Sequence, residues 1–328
     1  PATQAAAQSF VCDVYATDDY WNVVESSDDV RITSSDPAAS TPVTGKMNVG
    51  HVQISVALGT VGAQTLSVTN ITNGSIAGMT SDPIQVIPAA PDHFEINTIA
   101  SPQTAGVPVA VTIRATDINS NTITDYFGDA ILAANTGANS ISPQAIAFVN
   151  GVWTGDMIFK GAGGAVLFTC SDFSAPPHTG TSNTFQVLPG PFVGLQVLLP
   201  GQTAMGGTET GYTGEPTSHN AGASFTVNVR AVDEFWNRVS TINDRIALSS
   251  TDAFATMPAE TTLVNGEIAF PAIIYKGGFQ TITAADVDST SKAPHTSRPV
   301  EILSGSYSRI LILAPGEEIA YGTETGRA

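Results

Sequence analysis

Basic residues are scarce in this chain: 12 Lys and Arg stand against 29 Asp and Glu, a formal net charge of −17. Nowhere do they cluster, and a nucleic-acid backbone needs such a cluster, which argues against nucleic-acid binding. Long apolar runs are missing as well. Nothing reaches the roughly 18 consecutive apolar residues of a membrane-spanning helix. There is no initiator Met and no apolar core of a signal peptide, so a chain opening at Pro1 reads as a processed or excised segment. Only two cysteines occur, Cys12 and Cys170. They fall on different repeats at inward strand positions, which fits small buried hydrophobes better than a disulfide or a metal pair.

Catalytic signatures are missing too. The sequence holds no Gly-x-Ser-x-Gly, no His-Glu-x-x-His, no phosphate loop and no dinucleotide fingerprint. His51, His93 and His219 are isolated. His178 and His295 follow similar Ala-Pro stretches in successive repeats, which reads as a loop device, because an active site is normally unique. The expectation is a chain that is not an enzyme and needs no cofactor.

What the sequence does have is apolar content, 42 %, ample for packed cores. It also has internal repetition. The alternating stretch Phe10–Asp18 recurs as Val109–Asp117 and Phe225–Asp233, apolar at every second position as in a half-buried strand. Each copy is followed by Asn four residues after the Asp: Asn22, Asn121 and Asn237. Asn150-Gly151 and Asn265-Gly266 are tight-hairpin signals, degraded in the first repeat to Asn48-Val49-Gly50. Lys160-Gly161 and Lys276-Gly277 precede a further strand in two repeats. Short strands, frequent turn signals and no helical periodicity predict an all-β chain of three tandem immunoglobulin-like β-sandwich domains. The expected boundaries are 1–89, 90–190 and 191–305, with 306–328 left over. The third domain carries an inserted loop around Gly207-Thr208-Glu209-Thr210-Gly211, which the second lacks.

The block Val229–Asn237, with Ile246–Ser250 and Leu263–Gly266, resembles the tandem immunoglobulin-like repeats of bacterial surface proteins of the invasin and intimin type. The resemblance spans all three repeats and rests on turn and core residues. It implies a secreted or surface-displayed rod of sandwiches.

Asp18 and Asn22, with Asp28 and Asp29, and Asp233 and Asn237, with Asp244, supply the oxygen ligands Ca²⁺ takes. Their alternative role is to bond their own backbone and close a turn, which the lack of a fixed acidic spacing favours. Trp21 and Trp236 occupy equivalent turns and read as packing residues, while Trp153 has no counterpart.

The two ends of the sequence carry the functional expectation. The tail Ile310-Leu311-Ile312-Leu313-Ala314-Pro315-Gly316 repeats Leu195-Gln196-Val197-Leu198-Leu199-Pro200-Gly201, the opening strand of the third domain. Pro1–Phe10 aligns on Pro216–Phe225, which lies after that opening strand. The first domain is thus expected to lack an opening strand, and the tail to be a surplus one. A tail apolar on both faces is an aggregation hazard unless it is covered. The expectation is strand donation, similar in mechanism to donor-strand pili. Ile310, Leu311, Ile312, Leu313, Pro315 and Gly316 of one copy would then meet Phe10, Cys12 and Val14 of the next, and the copies would join head-to-tail into an extracellular filament. The alternative is a stretch of a longer adhesin or secreted protein in which these repeats are spacers.

Overall fold

A computed structural model describes residues 2–323 and 325–328. Pro1 as the opening residue, and Glu324 in the tail loop, lie outside the described residues. Among those residues there are strands and no helix, organised around three separate apolar cores. The chain is all-β, a tandem of immunoglobulin-like sandwiches.

Period-two patterning builds each unit. Along Ser224–Val232 the side chains of Phe225, Val227, Val229 and Ala231 are buried in the third core. Their partners come from Glu267–Ile273 on one side and Gly194–Leu198 on the other, both antiparallel. The opposing sheet has the spatial order Glu260–Thr262, Arg245–Ser250, Ile282–Asp286, His295–Thr296. The second unit repeats this plan: Pro108–Thr116 lies between His93–Ile96 and Val152–Phe159, facing a sheet centred on Asp129–Ala134 and Phe168–Asp172. The inserted loop of the third unit is a small hairpin of Thr203–Ala204 against Tyr212–Thr213.

The first unit departs from this plan at one of its sheets. Among the described residues its Ser9–Tyr15 strand pairs with His51–Ala57 alone, as a two-stranded sheet. The opposing sheet is complete, running Val43–Lys46, Asp29–Ser34, Leu66–Asn70, Met79–Thr80.

Two sequence matches shift on folding. Phe159 and Ile274 occupy the same core position, as do Gly163 and Gly278 at the next strand, so Lys160 corresponds to Tyr275 and Gly161 to Lys276. The two Lys-Gly pairs are therefore one residue out of step. His178 and His295 are likewise not counterparts. His178 closes a turn by donating its N–H to Asp172 Oδ1 at 2.8 Å, whereas His295 Nδ1 accepts the Val197 N–H at 3.1 Å. The residue matching His295 in register is Gly180, where a side chain would run into the Phe94 carbonyl at 2.2 Å.

The hairpin facing the central strand needs two left-handed residues. Asn150 and Asn265 take φ 52° with Gly151 and Gly266 behind them, and Val49 takes the same φ 52° before Gly50. The glycine is compulsory, since an added Cβ at Gly50 would meet the Val24 carbonyl at 2.0 Å. A β-branched residue at Val49 is strained by about 1–2 kcal/mol. Its side chain is exposed, so nothing is lost by changing it. Val49→Asn is expected to stabilise the first unit by about 1 kcal/mol in denaturant unfolding; no change, or a loss, would show that the strain is relieved elsewhere.

Candidate functional site

Among the described residues two features set the first unit apart: the edge of Ser9–Tyr15 is unpaired, and its Asp-Asn turn makes no bond to another unit.

Burial registers the unpaired edge directly. Val227, Val229 and Ala231 are fully buried in the third unit, and Val111, Ile113 and Ala115 in the second. Their counterparts Cys12 and Ala16, with Phe10, are only half-buried, and only Val14 reaches the core proper. The outward neighbours Val11 and Tyr15 are exposed, as is Met79 at the rim of the opposing sheet. In the second and third units the opening strand lies over this line, closing the gap between the two sheets. Burial also pushes the Cys12 thiol up from its ordinary range and the fully buried Cys170 thiol up to about 12. Both cysteines are free.

The tail carries the matching strand. Ile310 and Ile312 are 87 % and 83 % exposed, while Leu195 and Val197, which they match in sequence, are 2 % exposed in the third core. Leu311 and Leu313 are less open, and among the described residues none of the four enters a sheet. After Pro315-Gly316 the tail folds into a loop that copies the third unit's hairpin bond for bond. Ala320 N–H donates to Gly326 O at 2.9 Å, as Met205 N–H does to Gly211 O at 2.7 Å. Thr323 Oγ1 donates to Ala320 O at 2.8 Å, as Thr208 Oγ1 does to Met205 O at 2.7 Å. Gly322 lies against Lys276, the counterpart of Gly161 against which Gly207 lies.

The junction turn is built from Asp and the Asn four residues on. Asp233 Oδ1 accepts the N–H groups of Phe235 and Asn237, both at 2.9 Å, closing the turn. The Asn237 amide then reaches out of its own unit. Its Nδ2 donates to Lys160 O at 2.7 Å, and its Oδ1 accepts the Ala162 N–H at 2.8 Å. Asp233 Oδ2 accepts the linker Gly190 N–H at 2.7 Å. The junction before the second unit matches: Asn121 Nδ2 donates to Gly59 O at 2.7 Å, and Asp117 Oδ2 accepts the Ala89 N–H at 2.9 Å. Asp117 is fully buried, which would raise its pKa, yet the hydrogen bonds from Ala89, Asn121 and Asn119 outweigh burial and hold it below the usual carboxylate range. Sequence reasoning found these turns but not their second task, because the partner carbonyls carry no side-chain signature.

Asp18 and Asn22 make the same turn, and among the described residues their side chains bond only within it. The Asn22 side chain and N–H, with the Tyr20 N–H, hold the Asp18 carboxyl below its ordinary range, and both residues are exposed. Trp21 takes φ 69° as Trp236 takes φ 64°. Trp236 is half-buried, its Nε1 donating to Glu209 O at 3.2 Å, while Trp21 is exposed. Trp153, unmatched in sequence, packs half-buried against the second core. Among the Ca²⁺ candidates, Asp233 and Asn237 are spent on the junction. Asp244, grouped with them in sequence, faces Asp286 and Asp288 instead, and burial first, then those carboxylates, push its pKa up. Asp28 accepts a hydrogen bond from Asn70 Nδ2 at 2.7 Å. Among the described residues no group of three or more His, Cys, Asp or Glu side chains is placed to hold a metal ion.

No family model matches the sequence, and no curated protein is similar to it in sequence. Solved structures are similar at low identity. The Escherichia coli adhesin FdeC is 14 % identical over 93 % of this chain and 95 % of its own, with a TM-score of 0.34. Invasin, a bacterial integrin-binding protein, is 12 % identical over 91 % of this chain and 57 % of its own, with a TM-score of 0.28. A Parabacteroides merdae β-glucuronidase is 10 % identical over 65 % of this chain and 25 % of its own, with a TM-score of 0.25.

Asp117 gives the junction a pH dependence. A carboxyl held low in the folded chain contributes stability that is complete above its unfolded value near 4 and is lost as pH falls through the lower folded value. Acidification from pH 5 towards 2 is expected to open the linker at 87–92 to proteolysis, and Asp117→Ala to open it already at neutral pH. Equal cleavage of the two proteins at pH 7 would remove Asp117 from the junction.

Proposed function

We propose that this chain is a structural subunit of an extracellular filament, polymerising head-to-tail by donation of its C-terminal strand. One observation carries the reading: the edge of Ser9–Tyr15 is unpaired, and the exposed segment Ile310–Leu313 repeats the strand that covers that edge in the third unit. Transferring the third unit's register of Leu195 on Ala231 and Val197 on Val229 sets Ile310 opposite Ala16 and Ile312 opposite Val14 of the next copy. Ile310 and Ile312 then point inward and cover Cys12, Val14 and Ala16. Leu311 takes the outer place of Gln196, and it already lies by Gly326 as Gln196 lies by Gly211.

The driving force is twofold. Burying two exposed isoleucines is worth about 1.5–3 kcal/mol each. The ladder also satisfies backbone groups that the first unit leaves at its edge. Donor and acceptor are different surfaces at opposite ends of the chain, so the contact is head-to-tail, and it extends into an open filament wherever the rotation between copies does not close a ring. Extracellular placement rests on the resemblance to surface repeats. The competing reading has the same edge covered by a strand of a longer polypeptide, with these units as spacers in an adhesin.

The purified chain is expected to form end-to-end polymers visible by electron microscopy, and deletion of Ser306–Ala328 to leave single molecules. Cys12 supplies an independent readout. In single molecules it should react with a thiol reagent while Cys170 stays protected, and in polymers both should be protected. Polymers that survive the deletion, or a Cys12 equally reactive in both states, would overturn strand donation in favour of the spacer reading.

A further inference from the structure

The geometry points to a second contact between copies, one that makes no use of the donated strand: the turn Asp18–Asn22 docks on the far end of the third unit of another copy of this chain. It rests on the filament reading above and adds a rigid seat beside the donated strand.

Both internal junctions spell out the required partners. Asn237 donates to the carbonyl that follows Phe159 and accepts from the N–H two residues later. The carbonyl that follows Ile274 is that of Tyr275, and the N–H two residues later is that of Gly277. Among the described residues neither takes part in a hydrogen bond. Asn22 Nδ2 is therefore assigned to Tyr275 O and its Oδ1 to the Gly277 N–H. Asp18 Oδ2 takes the N–H of Gly305, the linker residue that stands where Gly190 serves Asp233.

An apolar contact goes with these bonds. At the internal junction Phe235 covers Gly106, where an added Cβ would meet the ring at 2.6 Å. Gly222 is the counterpart of Gly106, each donating its N–H to the matching core strand, at Ile274 O and Phe159 O. Gly222 has nothing within 4 Å of that position. Tyr20, the counterpart of Phe235, is 85 % exposed. An unoccupied glycine seat on one face and an uncovered aromatic ring on the other fit a second copy of the same chain. The tail loop is in place for the same fit: Gly322 rests on Lys276 as Gly207 rests on Gly161, and Gly207 in turn donates to Phe235 O at 2.7 Å. One substitution alters the fit. Tyr321 stands where the third unit has Gly206, and a Cβ there would meet Asn237 Oδ1 at 2.5 Å, so Asn22 seats slightly further out than Asn237.

The test uses the full chain. Tyr20→Ala with Asn22→Ala is expected to weaken end-to-end association at least about tenfold in a dilution series followed by sedimentation, and to give more flexible polymers in micrographs. Thermal unfolding of the single chain should change little, since both side chains are exposed and only solvent-exposed hydrogen bonds from Asn22 to Asp18 are lost. Tyr20→Phe, which reproduces Phe235, should behave as the unmodified chain. If polymers form, vanish on deletion of Ser306–Ala328 and are untouched by the double substitution, the docking turn is wrong and strand donation stands. If the unmodified chain forms no polymer at all, both fall.

Discussion

The proposed assembly depends on a single row of backbone hydrogen-bonding groups, the outer edge of Ser9–Tyr15. In a sandwich the opening strand does two jobs: it completes a ladder and it roofs the gap between two sheets. Gly194–Leu198 does both in the third unit, where its side chains are buried and the strand beneath it is fully covered. Remove that roof, and the inward side chains of the strand below are left half-open, as Phe10, Cys12 and Ala16 are. Hydrophobic burial and main-chain pairing then act in the same direction, because a strand that fills the ladder necessarily drops alternate side chains into the gap. The segment best suited to the task is one apolar at every inward position and equipped with the same following loop, and Ile310–Leu313 meets both conditions.

The junction turns show how a small local motif acquires a long-range role. Asp with Asn four residues on closes a turn by bonds within the unit, and this happens in all three units alike. Where a preceding unit exists, the outward half of the same Asn amide binds that unit's backbone, and the spare carboxylate oxygen binds the linker. Backbone carbonyls and N–H groups supply every partner, so the seat tolerates changes in side chain. Lys160 and Gly59 serve equally well as acceptors. A junction of this kind fixes one unit on the next through directional bonds at buried positions, where each is worth more than at the surface.

Much of this was legible in the sequence. Alternation marked the central strands, Asn-Gly marked the hairpins, and the repeated text marked which tail residues match Leu195 and Val197. Period-two burial and positive-φ turns are local requirements, written one residue at a time. Misreadings arose where likeness of text stood in for register. Lys276-Gly277 matched Lys160-Gly161 in letters but sits one residue away in the fold, because the strands on either side, not the letters, fix the alignment. His178 and His295 follow similar Ala-Pro stretches yet do unrelated work, one closing a turn on Asp172 and the other accepting a bond from the opening strand.

What the sequence determined by itself was the all-β class, the repetition and the identity of the apolar segment that repeats the third unit's opening strand, since these follow from side-chain chemistry and its period. What only the tertiary structure decided was which backbone edge lacks a partner and which carbonyls receive the Asn amides. The reason is physical: every residue carries the same backbone N–H and C=O, so their availability depends on which chain segments lie beside them, and no residue type announces it.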